Sequence, residues 1–110
     1  MPKRDPDLLM EDILSAVRKV ERYTSGMDQE QFRQDDKTID AVVRNLEIIG
    51  EAARQLPESF LVRYPDVPWR QIAGLRNRIV HEYFGLDLEL IWQVIRQNQP
   101  QLQARLEDIA

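Results

Sequence analysis

The chain has no cysteine and only one histidine, His81, in 110 residues. The first absence excludes a disulfide framework and any thiolate metal site, and it fits a reducing compartment. The second excludes, within one chain, any metal site that needs two imidazoles. No apolar run approaches the roughly 18 residues that mark a membrane span. The start, Met1-Pro2-Lys3-Arg4-Asp5-Pro6-Asp7, is charged and lacks the apolar centre of a signal peptide. These absences lead to the expectation of a soluble cytoplasmic protein with no membrane partner.

At 13.0 kDa the chain is expected to form one domain, residues 1–110, long enough to bury about two-thirds of its unfolded surface. A net charge of −4 and a pI near 5.0 argue against a protein that coats nucleic acid with its whole surface. The distribution says more. From Arg54 to Val80 the cations are Arg54, Arg63, Arg70, Arg76 and Arg78 against Glu58 and Asp66, so this window is +3 and the remainder −7. All five are arginine, the side chain suited to bidentate phosphate contacts. For Arg54 and Arg63 taken singly, a solvated helix face is at least as good a reading.

Hydrophobic periodicity predicts helices throughout. Leu9, Ile13, Ala16, Val17, Val20 and Tyr23 give a 3.6-residue stripe over 7–25, closed by Ser25-Gly26. Asp28 then caps a short turn through Phe32 to Gln34. Asp35 or Asp36 caps a helix from about Lys37 to Leu56, striped by Ile39, Val42, Val43, Leu46, Ile49, Ala53 and Leu56. Within it Glu47 and Glu51 could be half of a di-iron site, but such sites also need Glu-x-x-His, and the residue three before His81 is Arg78. They are read as exposed or ion-paired, and Gly50 beside them as a point of close backbone approach. A short turn follows over Glu58–Arg63. A helix is then expected from Pro68 to about Tyr83, about 24 Å long at ~1.5 Å per residue, ended by Gly85. Asp87 caps a last helix carrying Leu88, Ile91, Trp92, Ile95, Leu102, Leu106 and Ile109, with a kink or restart at Pro100. No strand alternation, repeat or linker is visible.

The stretch Arg76-Asn77-Arg78-Ile79-Val80-His81-Glu82-Tyr83 concentrates the chemistry. On one continuous helix, Arg76 and Tyr83 would share one margin of a polar edge, and Asn77 and His81 the other. Such an edge becomes a pocket only when something lies against it, and a second copy about a two-fold axis is the economical choice. Two histidines, two arginines and no metal suffice for RNA cleavage by its own 2′-OH, which needs a base, an acid and cations for the phosphorane. His81 is the group that exchanges protons near neutral pH, Arg76 stabilises charge at phosphorus, and Asn77 orients phosphate or imidazole. A capping histidine in the last turn of a helix, favoured by the dipole, is the plainer alternative from spacing alone.

Arg-x-x-x-x-His-x-Tyr at Arg76, His81 and Tyr83 resembles the signature of the HEPN superfamily in its HepT-like branch. So do the run from Asp40 to Ala53, the Pro68-Trp69-Arg70-Gln71-Ile72 lead-in, the turn from Thr24 to Phe32, and Ile91-Trp92. The resemblance implies an all-α, up-and-down bundle of four to five helices. It implies a homodimer with the motif at its interface, and a metal-independent endoribonuclease that needs no cofactor. It carries over Arg76 and His81 as catalytic and fits Asn77 to the polar residue after the arginine; Asn77 and Arg78 are expected to position phosphate or RNA, and no residue is expected to bind a metal. It also implies the toxin half of a type VII-like toxin–antitoxin pair. The antitoxin there is a minimal nucleotidyltransferase (MNT) that moves AMP from ATP onto the motif tyrosine, here Tyr83. The alternatives are a non-catalytic nucleotide- or protein-binding helical module and a purely structural dimerisation protein.

Overall fold

The computed structural model describes residues 4–81 and 85–109. Helix α1, Pro6–Thr24, starts where Asp5 accepts a hydrogen bond from the Asp7 N–H and Pro6 takes the first turn, where its missing N–H leaves nothing unpaired. It ends at Ser25, and Gly26 turns the chain with φ +79, the left-handed conformation that glycine adopts freely. Asp28 and Gln31 then form a reciprocal capping box for α2, Gln29–Arg33, which serves to bury Phe32 completely. Asp35 accepts from both the N–H and the hydroxyl of Thr38 and so opens α3, Asp36–Gln55. The apolar stripes of α1 and α3 pack along one another. Ile13, Val17 and Val20 from one and Val42, Leu46 and Ile49 from the other are fully buried in one cluster.

After α4, Glu58–Leu61, the structure departs from the expected long helix. Helix α5 covers Trp69–Ala73 and α6 covers Leu75–Ile79, with Gly74 between them at φ −91, ψ 5. Glycine gains least from helix continuation, and here its N–H closes α5 on Arg70 O at 3.1 Å. Nor does the helix reach Tyr83. Val80 is extended, and β1, Val80–His81, pairs antiparallel with β2, Gly85–Leu86, placing Val80 opposite Leu86 and His81 opposite Gly85. In a continuing helix Ile79 O would accept from residue 83; instead it accepts from the Asp87 N–H at 2.8 Å. β-Branched Ile79 and Val80 suit an extended chain, and Gly85 at φ +78 lets it turn back.

Asp87 caps α7, Leu88–Gln93, and the chain then widens into a π-type turn, Val94–Asn98, before α8, Gln99–Ile109. Pro100 has no N–H to give to residue 96 and would crowd its carbonyl, and the wider turn just before it absorbs both problems. Ile91, Ile95 and Leu106 close the core over α1 and α3. Phe32 packs on Trp92 at 5.3 Å, and Arg96 lies over the outer face of Trp92 at 4.4 Å while donating to the Met27 carbonyl. The Arg96–Met27 hydrogen bond and the Phe32–Trp92 contact tie the turn after α1 to the last third of the chain, and the cation–π stack holds the guanidinium in place for it. The result is an all-α bundle with one two-residue antiparallel pair, and no helix among the described residues is long and apolar enough to cross a membrane.

Candidate active site

Helix α6 is one turn and a half long, and its geometry is set by two buried anchors, Leu75 and Ile79. Residues four apart share a face, so the three between them, Arg76, Asn77 and Arg78, are pushed outward and all are exposed. Gly50 of α3 brings this unit close. A Cβ at that position would stand 3.2 Å from Ile72 O and 3.5 Å from Ala73 O. Arg54, one turn further on α3, donates to Ala73 O at 3.0 Å and pairs with Glu51 at 3.5 Å. The end of α5, and with it the start of α6, is therefore pinned to the C-terminal half of α3.

Arg76 reaches back over α3. Its Nε lies 3.9 Å from Glu47 Oε1, and its side chain remains 57% exposed. It opens into a groove of about 400 Å³ that Arg44, Glu47, Glu51 and Ile48 of α3 line with Arg4 and Asp12 of the N-terminal segment. Arg4 and Asp12 are joined by two hydrogen bonds, 2.8 and 3.1 Å, and the hydrogen bond to Asp12 raises the Arg4 pKa further. Arg44 has no ion-pair partner among the described residues. Of the three arginines in the groove, Arg4 is tied to Asp12, Arg76 is loosely held by Glu47, and Arg44 is the least committed.

Arg78 faces elsewhere. Two residues along a helix is about 200° of rotation, and Arg78 lines a separate, mainly apolar pocket between α5–α6 and the π turn. Arg76 and Arg78 therefore serve different surfaces. Asn77 is exposed between them. His81 is described in its backbone, the second residue of β1; its side chain, and the whole of Tyr83, lie outside the described residues. With β1 replacing the last helical turn, the expected superposition of Arg76 on Tyr83 and the adjacency of Asn77 and His81 no longer follow from helix geometry. Both glutamates are ion-paired, Glu47 to Arg76 and Glu51 to Arg54. Glu47 was visible in the sequence only as half of a carboxylate pair. The signal for its role is its place one turn before Gly50, on the α3 face that the neighbouring backbone approaches.

Residues 13–109 match the family described as ribonuclease HepT-like. A protein named as an RNase in Methanocaldococcus jannaschii is 40% identical over 99% of this chain and 90% of its own length. One named as a ribonuclease HepT in Thermococcus cleftensis is 37% identical over 97% of each. Another, named as an RNase in Caldanaerobacter subterraneus, is 37% identical over 96% of this chain and 95% of its own length. No solved structure matches the chain. A match over nearly the full length, with the Arg-x-x-x-x-His motif on the helical turn and strand just described, makes the chain a member of the HepT-like ribonuclease family.

Proposed function

We propose that the protein is an endoribonuclease that cleaves RNA without a metal, in a composite site formed by two copies of the chain. The observation that carries this reading is exposed Arg76, five residues before His81 in a chain of this family. Each protomer supplies one imidazole, and the reaction needs two proton-transfer groups. One His81 takes the proton from a ribose 2′-OH, whose oxygen bonds to the adjacent phosphorus. The P–O5′ bond breaks, and the imidazolium of the other His81 gives its proton to the leaving oxygen. The products are a 2′,3′-cyclic phosphate end and a 5′-hydroxyl end. Arg76 from each protomer stabilises the dianionic phosphorane, and Asn77 and Arg78 hold the flanking strand.

The same reading assigns regulation to Tyr83. A minimal nucleotidyltransferase encoded as antitoxin would transfer AMP to it. The phenol oxygen attacks the α-phosphorus of ATP and pyrophosphate leaves, putting a nucleotide and negative charge two residues from His81. The protein would then be the toxin half of a type VII-like toxin–antitoxin pair.

The test is cleavage of total RNA in EDTA by purified wild type, His81→Ala and Tyr83→Phe, after intact mass has shown Tyr83 unmodified and sedimentation has shown a dimer. Cleavage by wild type and Tyr83→Phe, lost by at least ~10²-fold in His81→Ala, supports the reading. An unmodified dimer that cuts nothing overturns it in favour of a non-catalytic binding module.

A further inference from the structure

The groove into which Arg76 opens holds a cation that proton transfer at His81 does not use. Arg44, Ile48, Glu51, Ala52 and Gln55 fall on one stripe of α3, because residues three, four and seven apart share a helix face. This stripe lies open between Arg4 and Asp12 on one side and Arg76 on the other. Leu9 and Ala52, both buried, and half-buried Ile48 give the groove an apolar floor. Its volume, about 400 Å³, falls within the ~300–1,000 Å³ of ligand clefts.

Each carboxylate in the groove already has a cation. Asp12 accepts from Arg4 at 2.8 and 3.1 Å, Glu51 pairs with Arg54 at 3.5 Å, and Glu47 stands 3.9 Å from Arg76. Arg44 is the surplus charge, exposed and without an ion-pair partner among the described residues. An exposed arginine is ordinary by itself; its position is what matters. Arg44 is three residues before Glu47 on α3, so their Cβ atoms are about 5–6 Å apart, and Glu47 is the residue that Arg76 reaches. The two guanidiniums therefore meet one ligand from neighbouring helices. A guanidinium fork matches phosphate oxygens in pairs, and the apolar floor between them suits a ribose or base face rather than a bare anion.

We propose that Arg44 binds the RNA phosphate next to the one that reaches Arg76. The strand crosses α3, with one phosphate at Arg76, its neighbour at Arg44, and the intervening sugar over Ile48. Arg44 then fixes the register of the strand without taking part in bond breaking. The proposal rests on the ribonuclease reading for its substrate, but the contact can be measured without cleavage.

The experiment is fluorescence anisotropy with labelled RNA tetranucleotides, 2′-O-methylated so that they cannot be cut. One is fully charged, and the others each carry a single uncharged methylphosphonate linkage. They are titrated into the full-length wild type, Arg44→Ala, Arg44→Lys and, as a control for lost charge outside the groove, Arg33→Ala on α2, where the side chain is also exposed. Arg44→Ala should weaken binding of the charged probe about 5–20-fold and lower the salt slope by about one. Arg44→Lys should keep the slope and recover part of the affinity, and Arg33→Ala should stay within about twofold of wild type. At one linkage, methylphosphonate should weaken wild type as much as Arg44→Ala does, and weaken Arg44→Ala by less than about twofold. In cleavage of natural RNA, Arg44→Ala should raise KM and leave kcat near wild type. A loss no larger than that of Arg33→Ala, or one that is the same whichever linkage is neutral, overturns the contact. So does dissociation of the dimer by Arg44→Ala in sedimentation, which assigns Arg44 to a second copy of the chain, and so does absence of probe binding by wild type. Arg44-dependent binding without cleavage sinks the ribonuclease reading and leaves the contact standing; cleavage untouched by Arg44→Ala does the reverse.

Discussion

Gly50 is the position where packing and activity meet. Replacing it by alanine inside α3 should stabilise the helix by about 0.5–1 kcal/mol on propensity alone. The added methyl, however, lands 3.2 Å from Ile72 O and 3.5 Å from Ala73 O. These are backbone atoms at the end of α5. Ala73 O already accepts from Arg54, and Gly74 N–H is bonded to Arg70 O, so the neighbour yields only by moving α5 and Gly74 together. Overpacking of this kind costs about 1–3 kcal/mol. The two effects leave Gly50→Ala destabilised by roughly 0–2 kcal/mol and Gly50→Val, with two further methyls, by roughly 2–4 kcal/mol. At about 4–8 °C per kcal/mol for a domain of this size, valine should lower Tm by roughly 8 °C or more. Urea unfolding followed by circular dichroism measures the first quantity. RNA cleavage well below the transition measures the second, and it should fall further than the folded fraction does, because displaced α5 carries α6 and Arg76 with it. An alanine variant more stable by the full propensity gain, with a neutral valine variant, would refute the close approach.

Other substitutions isolate single contacts. Glu47→Gln removes a carboxylate from a 3.9 Å pair whose side chains are 57% and 34% exposed. Stability should therefore change by no more than about 0.5 kcal/mol, while affinity for uncleavable RNA rises about two- to fivefold; weaker binding in anisotropy would contradict this. Gly26 sits at φ +79 with no atom within 4 Å of an added Cβ. Gly26→Ala should accordingly cost about 1 kcal/mol from backbone strain alone, with Gly26→Asn recovering part of it, as chemical denaturation would show. Asp66 is held by Arg105 at 2.5 and 3.2 Å, and the hydrogen bond from Arg105 holds its carboxyl below the usual range. A depressed folded-state pKa means that the contribution is full above the unfolded value and fades as pH falls through the lower folded one. Tm of wild type should thus drop more steeply than that of Asp66→Asn below about pH 4, and parallel curves would dismiss the pair.

Most of the bundle could be read in advance because its signals are local and redundant. Asp28, Asp35 and Asp87 each stand at the start of a helix and accept from its first turn; Gly26 takes the left-handed conformation its position suggested. The α1 and α3 boundaries fall within a residue of the periodicity. The stretch from Pro68 to Tyr83 failed for the opposite reason. Trp69, Ile72, Leu75 and Ile79 are all buried and fit one helical stripe, yet the β-branched pair at 79–80 fits an extended chain equally well. What decides is long-range: Val80 finds Leu86, and Ile79 O finds the Asp87 N–H. Gly74 and Gly85, eleven residues apart, were the marks of that interruption.

The site was legible in kind before it was legible in arrangement. Residue types at Arg76, His81 and Tyr83 name a chemistry whatever the backbone does, whereas their mutual geometry was inferred from one unbroken helix. Because α6 ends at Ile79, His81 is carried by a strand whose direction depends on the turn at Gly85, and Arg76 by a helix pinned to α3 through Gly50 and Arg54. The two proposed catalytic groups thus ride on separately anchored elements. Gly85→Ala tests that division. At φ +78 it should cost about 1–2 kcal/mol and reduce RNA cleavage by disturbing the strand pair, while Arg76-dependent binding of uncleavable RNA stays near wild type. If binding falls in step with cleavage, the strand and α6 move as one unit and the helix, not the turn, positions His81.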